Sequence, residues 1–161
     1  AGGNKGQERN MRSGTENVAG VVGFAKAAEL AEAHRKAEAE RLAALRDTLQ
    51  ARLVETFPSA VVSGHPKKRL SGSLHIAFPG LDGERLVFRL EARGVLVATG
   101  SACAANKGTR SHVLTALKLP EDVADGSLRL TLGRLSTEEN CAEACQILIE
   151  EITAEYERVR R

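Results

Sequence analysis

The chain has 161 residues, a formal net charge of +2, 42% hydrophobic and 27% charged residues, which is the balance of an ordinary globular domain. Aromatics make up only 3% and tryptophan is absent. That argues against a nucleic-acid module built on base stacking, and the small net charge implies no polyanionic partner. No apolar run approaches the roughly 20 residues of a membrane span, and no apolar segment opens the chain as a secretory signal does, so the expected compartment is the cytoplasm and no membrane is involved.

Ala1 to Thr15 is polar, rich in glycine and without apolar periodicity; it reads as part of a functional loop rather than a domain start, and the chain is expected to be a fragment. Glu16 to Phe57 reads as helix. Val18, Val21, Val22 and Ala25 start an apolar stripe, and Leu42, Leu45, Leu49 and Leu53 recur at three- and four-residue steps on one face. A break is expected near Ala33–Arg35, and Pro58 fits the exit.

Val61 to Ser73, with Gly64, Pro66 and the basic run Lys67, Lys68 and Arg69, reads as a solvated loop. Leu74 to Phe78 alternates as a strand closed by Pro79-Gly80. Asp82 is placed to cap a helix over Gly83 to Arg93, with Leu86, Val87 and Leu90 inward and Gly94 past its end. Val95 to Ala98 is a second strand. Ser111 can cap a helix through Leu117, limited by Pro120. Ser127 to Leu132 is a third strand, and Thr137 caps a long last helix with Cys141, Cys145, Leu148, Ile152 and Val159 near one face. The fold class is therefore α/β or α+β: a small sheet of about three to four strands with helices packed on it, preceded by a long helix.

The three cysteines, Cys103, Cys141 and Cys145, are an odd set that fits a reducing compartment. Cys141 and Cys145, one helical turn apart, lack the further ligands a zinc site needs and read as core. Cys103 differs. It follows a strand within Gly100-Ser101-Ala102-Cys103-Ala104-Ala105, its small neighbours leave it uncovered, and Lys107 and Arg110 favour a thiolate. A buried or incidental thiol is the competing interpretation.

GQERNMRSGT (Gly6 to Thr15), ATGSACAA (Ala98 to Ala105), SHVL (Ser111 to Leu114) and SLRLTLGRLSTEEN (Ser127 to Asn140) stand in one order along the chain. Together they resemble the C-terminal part of a cysteine desulfurase of the class V aminotransferase group, in the form that serves iron–sulfur assembly. The resemblance implies the C-terminal portion of a fold-type I enzyme using pyridoxal 5'-phosphate. Residues 1–33 then correspond to a remnant of the large cofactor-binding domain, and residues 34–161 to the small domain carrying the cysteine loop. It also implies a homodimer, L-cysteine as substrate, and a sulfur-acceptor or scaffold protein of iron–sulfur assembly as partner.

By the same resemblance Cys103 is the nucleophile that accepts sulfur as a persulfide, and through that persulfide a transient iron–sulfur ligand. Arg129 grips the substrate carboxylate, a task suited to a planar guanidinium fork; strand alternation alone makes it an outward surface residue. Thr15 reaches the cofactor phosphate of the neighbouring subunit, although an N-cap has the same sequence pattern. His112 and Arg134 carry no assigned role. The family's Schiff-base lysine precedes GQERNMRSGT, and none of Lys5, Lys26, Lys36, Lys67, Lys68, Lys107 and Lys118 has its context. The isolated chain is accordingly expected to be inactive. Asn106 to Arg110 replaces the Leu-Glu-Pro tract common in relatives, and Asn4-Lys5 interrupts the glycine run. Alternatives are a selenocysteine lyase or aminotransferase-like paralogue, and a non-catalytic sulfur-relay or docking module.

Overall fold

The computed structural model describes Arg9, Met11, residues 14–100 and residues 112–160. The chain divides into two compact units, Ala1–Ala37 and Glu38–Arg161. The helix α1 (Val18–Thr56) starts in the first. Asn17 supplies its cap: the Asn17 side-chain oxygen accepts the Gly20 N–H at 3.0 Å. Contrary to expectation, α1 has no break near Ala33–Arg35. The alanines and long charged residues there are good helix formers, and Arg35 pairs with Glu32 at 2.7 Å along the helix. Val18, Val21 and Val22, the start of the apolar stripe, are exposed.

In the second unit the α/β arrangement follows the sequence pattern. Three strands, β1 (Val61–Val62), β2 (Ser73–Ala77) and β3 (Ser127–Thr131), form an antiparallel sheet in the order β1-β2-β3. β2 and β3 align Leu74 with Leu130, His75 with Arg129, and Ile76 with Leu128. Because side chains alternate between faces, Leu74, Ile76, Leu128 and Leu130 share one side and are at most 5% exposed. That side carries the core, closed by Leu49, Leu53 and Phe57 of the α1 end, Leu86 and Leu90 of α2 (Gly83–Glu91), and Cys145, Leu148 and Ile152 of the last helix. Phe57 meets Phe78 edge to face, with ring centroids 5.6 Å apart.

Four local readings change. β1 lies inside the segment read as loop, where Val61 and Val62 pair with Ala77 and Ile76 at the edge of β2. Val95–Ala98 does not form a full strand; it touches β3 through one bridge, Ala98 to Arg129. After α3 (His112–Ala116), Pro120 opens a further short helix, α4 (Glu121–Asp125), consistent with a proline at the start of a helix. Arg69 is not a surface charge: its side chain is 13% exposed and donates to the Gln50 side chain at 2.6 Å.

The last helix, α5 (Glu138–Val159), has the expected cap. Thr137 accepts the Asn140 N–H while the Asn140 side chain takes the Thr137 N–H, a closed capping box. Cys145, Leu148 and Ile152 face the core, but Val159, at the end of the last turn of α5, is 50% exposed. Asp82 caps α2 as expected, accepting from Glu84 and Arg85. Gly126 is required by close approach: a Cβ there would collide with the Phe78 carbonyl, and its own carbonyl accepts the Phe78 N–H at 2.9 Å.

Helices α2 and α5 are also joined by charge. Arg85 donates to Glu155 at 2.9 Å, Arg89 to Glu151 at 2.6 Å, and Arg93 to Glu150 at 2.7 Å. Glu155 is 2% exposed. Burial pushes its carboxyl up, but the bonds from Arg158 and Arg85 outweigh burial and hold it below the ordinary 4.5. A carboxylate depressed in the folded state stabilises above its unfolded value, and that contribution is lost as pH falls from about 4.5 through the folded value. Glu155→Gln should therefore flatten the acid limb of the stability curve, measured by urea unfolding between neutral and acid pH. Leu148→Ala, which empties a fully buried position, should cost about 2–5 kcal/mol at neutral pH in the same assay.

Candidate functional site

The second face of the sheet is polar where the first is apolar. Arg129 points to it and is exposed. Its backbone N–H and C=O both bond Ala98, the C=O accepting at 3.3 Å. Toward β2 it therefore has no ladder bonds, so Arg129 and His75 form the narrow type of antiparallel pair, with Cα atoms about 4.5 Å apart and side chains abreast. On the other edge of β2 the Ser63 N–H donates to the His75 carbonyl at 3.0 Å, which continues the β1 register by one residue. Ser63, His75, Arg129 and Ala98 thus form one row across one face.

This row holds unsatisfied polar atoms. The Ser63 hydroxyl and both ring nitrogens of His75 are buried with no hydrogen-bond partner among the described residues. Burial, and after it the charge of Arg129, push His75 below its ordinary value of 6.5. The ring is accordingly neutral at pH 7 and offers one N–H and one lone pair. Near it the chain approaches closely: a Cβ on Gly100 would lie 3.7 Å from His75 Nε2 and 2.8 Å from the end of Leu114. His75 and Ser63 were not singled out from the sequence. Only the alternation of LHIAF, which sets a histidine among inward apolar positions, hinted at a polar face.

Cys103 and Ser111 lie outside the described residues, as do Arg12 and Ser13 of the RSGT motif that Thr15 closes. Thr15 itself is exposed. The N-cap alternative for Thr15 is removed, since Asn17 performs that job. His112 and Arg134 are exposed.

The other thiols behave as packing. Cys145 is 2% exposed; Cys141 is only partly buried, a correction to its placement in the core, because it sits at the first turn of α5 where the α1 contact opens. Both line a groove of about 700 Å³ between α1 and α5, together with Leu45, Thr48 and Arg52. Burial raises both thiols above the ordinary 9.0, and Arg41 and Arg52 offset that only in part. Among the described residues no three His, Cys, Asp or Glu side chains are grouped to hold a metal ion, and no helix is long and apolar enough to cross a membrane.

Comparison with known proteins agrees with this architecture. The family profile described as Aminotransferase class-V matches residues 2–143. The chain is 42% identical over 144 residues to a protein named cysteine desulfurase IscS from Methanosarcina thermophila, covering 89% of this chain and 35% of the relative. It is 41% identical over 142 residues to cysteine desulfurase 2 of Trichormus variabilis, with 88% and 35% covered. Among solved structures it is similar to a NifS-like protein (TM-score 0.80, 30% identity, 94% of this chain and 38% of that one). A NifS-like protein from Rickettsia africae follows with a TM-score of 0.75 at 25% identity, over 96% and 39%. The chain thus spans about a third of the length of the curated relatives it matches.

Thiol labelling checks the packing role of the α5 cysteines. At pH 7.5 Cys145 should react with a disulfide reagent only after denaturant is added, because both burial and its raised protonation suppress thiolate; rapid labelling in the folded chain contradicts it.

Proposed function

Since the chain belongs to the class-V aminotransferase family, we propose that it supplies the substrate-gripping and sulfur-accepting residues of a cysteine desulfurase. The observation that supports this reading most is the position of Arg129: an exposed guanidinium on the polar face of an otherwise core-forming strand. Such a fork pairs both oxygens of an α-carboxylate and sets the amino acid's orientation.

In this reading Arg129 binds the carboxylate of L-cysteine, and Cys103 takes over its sulfur. The enzyme thiol and L-cysteine become an enzyme persulfide and L-alanine, with no net oxidation or reduction. The persulfide then passes sulfur to an acceptor or scaffold protein of iron–sulfur assembly, and Cys103 is the residue through which a nascent cluster would be held in transit. A homodimer in the cytoplasm completes the proposal, with residues 1–33 belonging to the cofactor domain and residues 34–161 to the small domain.

Cleaving the C–S bond requires an electron sink, the role pyridoxal phosphate serves in such enzymes. The described residues do not fit covalent attachment of that cofactor. A Schiff-base lysine needs a desolvated amine, whereas Lys26, Lys36, Lys67, Lys68 and Lys118 are all exposed. Thr15, exposed and free of a capping duty, is retained as a contact for the phosphate of a cofactor held in the neighbouring subunit. This distribution of residues supports a chain that contributes Cys103 and Arg129 to a site completed by other residues.

The test is made on the holoenzyme that contains this chain, supplied with L-cysteine. Cys103→Ser should abolish alanine formation and persulfide labelling, and Arg129→Lys should raise KM at least about tenfold by losing the bidentate pair. Full activity in Cys103→Ser refutes the desulfurase reading. Alanine formation from a different amino acid with the thiol dispensable favours an aminotransferase-like paralogue instead.

A further inference from the structure

We propose that His75, backed by Ser63, is a second substrate-binding residue, so that the α-carboxylate is held by a row across the sheet rather than by Arg129 alone; this rests on the desulfurase reading. The row is Ser63, His75, Arg129 and Ala98, contiguous by the strand register. In the narrow pair, His75 and Arg129 have Cα atoms about 4.5 Å apart and side chains on one face, so both can turn toward one carboxylate. Ser63 lies two strand spacings from Arg129, roughly 10 Å, which accommodates a small amino acid with a hydrogen bond at either end.

The unpaired atoms supply the independent argument. A buried ring nitrogen without a partner loses its water and gains nothing in return, at about 1–3 kcal/mol each. Among the described residues His75 has two such atoms, and the Ser63 hydroxyl beside it is a third. A phenylalanine or leucine would fill the same space without that cost. Their shared location on one face, next to the one exposed arginine of β3, makes them complementary to a ligand that carries both donor and acceptor groups. An amino acid is such a ligand: its carboxylate accepts from the imidazole N–H, and its ammonium can donate to a hydroxyl. Arg129 supplies charge, while the neutral imidazole supplies direction without adding a second positive charge that would repel the first.

Two variants distinguish binding from bulk. In the holoenzyme His75→Phe should raise KM for L-cysteine about 10- to 100-fold, the worth of a hydrogen bond to a charged group, with kcat changed by less than about threefold. His75→Gln, which keeps an N–H donor, should bring KM back to within about threefold of the parent. An unchanged KM in His75→Phe, or a loss confined to kcat, overturns the inference. A measurement without turnover separates this outcome from failure of the desulfurase reading: the ring nitrogen resonances of His75, assigned by their loss in His75→Gln, are followed while L-alanine is added to the full-length protein. They should move, and Arg129→Gln should suppress the movement. Alanine formation that depends on Cys103, with static His75 resonances and a normal His75→Phe, leaves the desulfurase reading standing and removes His75 from it. Moving resonances without alanine formation have the opposite meaning: the row binds an amino acid, and the reaction is a different one.

Discussion

The structure depends on the strict alternation of two paired strands. β2 and β3 place Leu74, Ile76, Leu128 and Leu130 on one side and His75 and Arg129 on the other. The first set makes the core with α1, α2 and α5, and the second makes the polar row. Shifting the register by one residue would drive a histidine and an arginine into the core and expose four large apolar side chains. Folding and site geometry are therefore set by the same ladder. A change that loosens the ladder acts on both.

The apolar side is reinforced by ion pairs rather than by more apolar area. Arg85 and Arg89 lie on successive turns of α2 and Arg93 just past its end, and Glu155, Glu151 and Glu150 answer them from α5. Exposed pairs of this kind contribute little, but Glu155 is nearly sealed and Glu151 is 9% exposed. Their carboxylates need those guanidiniums, so the ladder fixes how α2 and α5 sit on each other more than it adds net stability. Gly126 does the corresponding task for the backbone, letting the chain before β3 pass against Phe78.

Much of this was legible in the residue pattern. Leu45, Leu49 and Leu53 at helical spacing are buried, Asp82 and Thr137 cap the helices they precede, and the alternating β2 and β3 segments pair as strands. The failures have physical causes. β1 has only two residues and a flanking glycine, too short for a periodic signal, and it exists because β2 offers an unpaired edge. Val95–Ala98 has the composition of a strand, but among the described residues its one β-bridge is from Ala98 to Arg129, while Val95 and Val97 pack on the core. Arg69 reads as one more charge in a basic run, yet Gln50 and Asp47, 19 or more residues earlier, draw it in. Arg129 falls in a family motif; His75 and Ser63 do not, because they become its neighbours only when strands far apart in the chain align.

From the residues alone came the element types, their caps, the apolar set and the family motifs, since these follow from spacing along a single stretch of chain. The tertiary structure alone decided which polar side chains become neighbours, which thiols are shielded, and where polar atoms are buried without partners. Those properties belong to pairs of residues 12 to 66 positions apart, Ser63 with His75 and Ser63 with Arg129, and burial and charge act through space rather than along the chain.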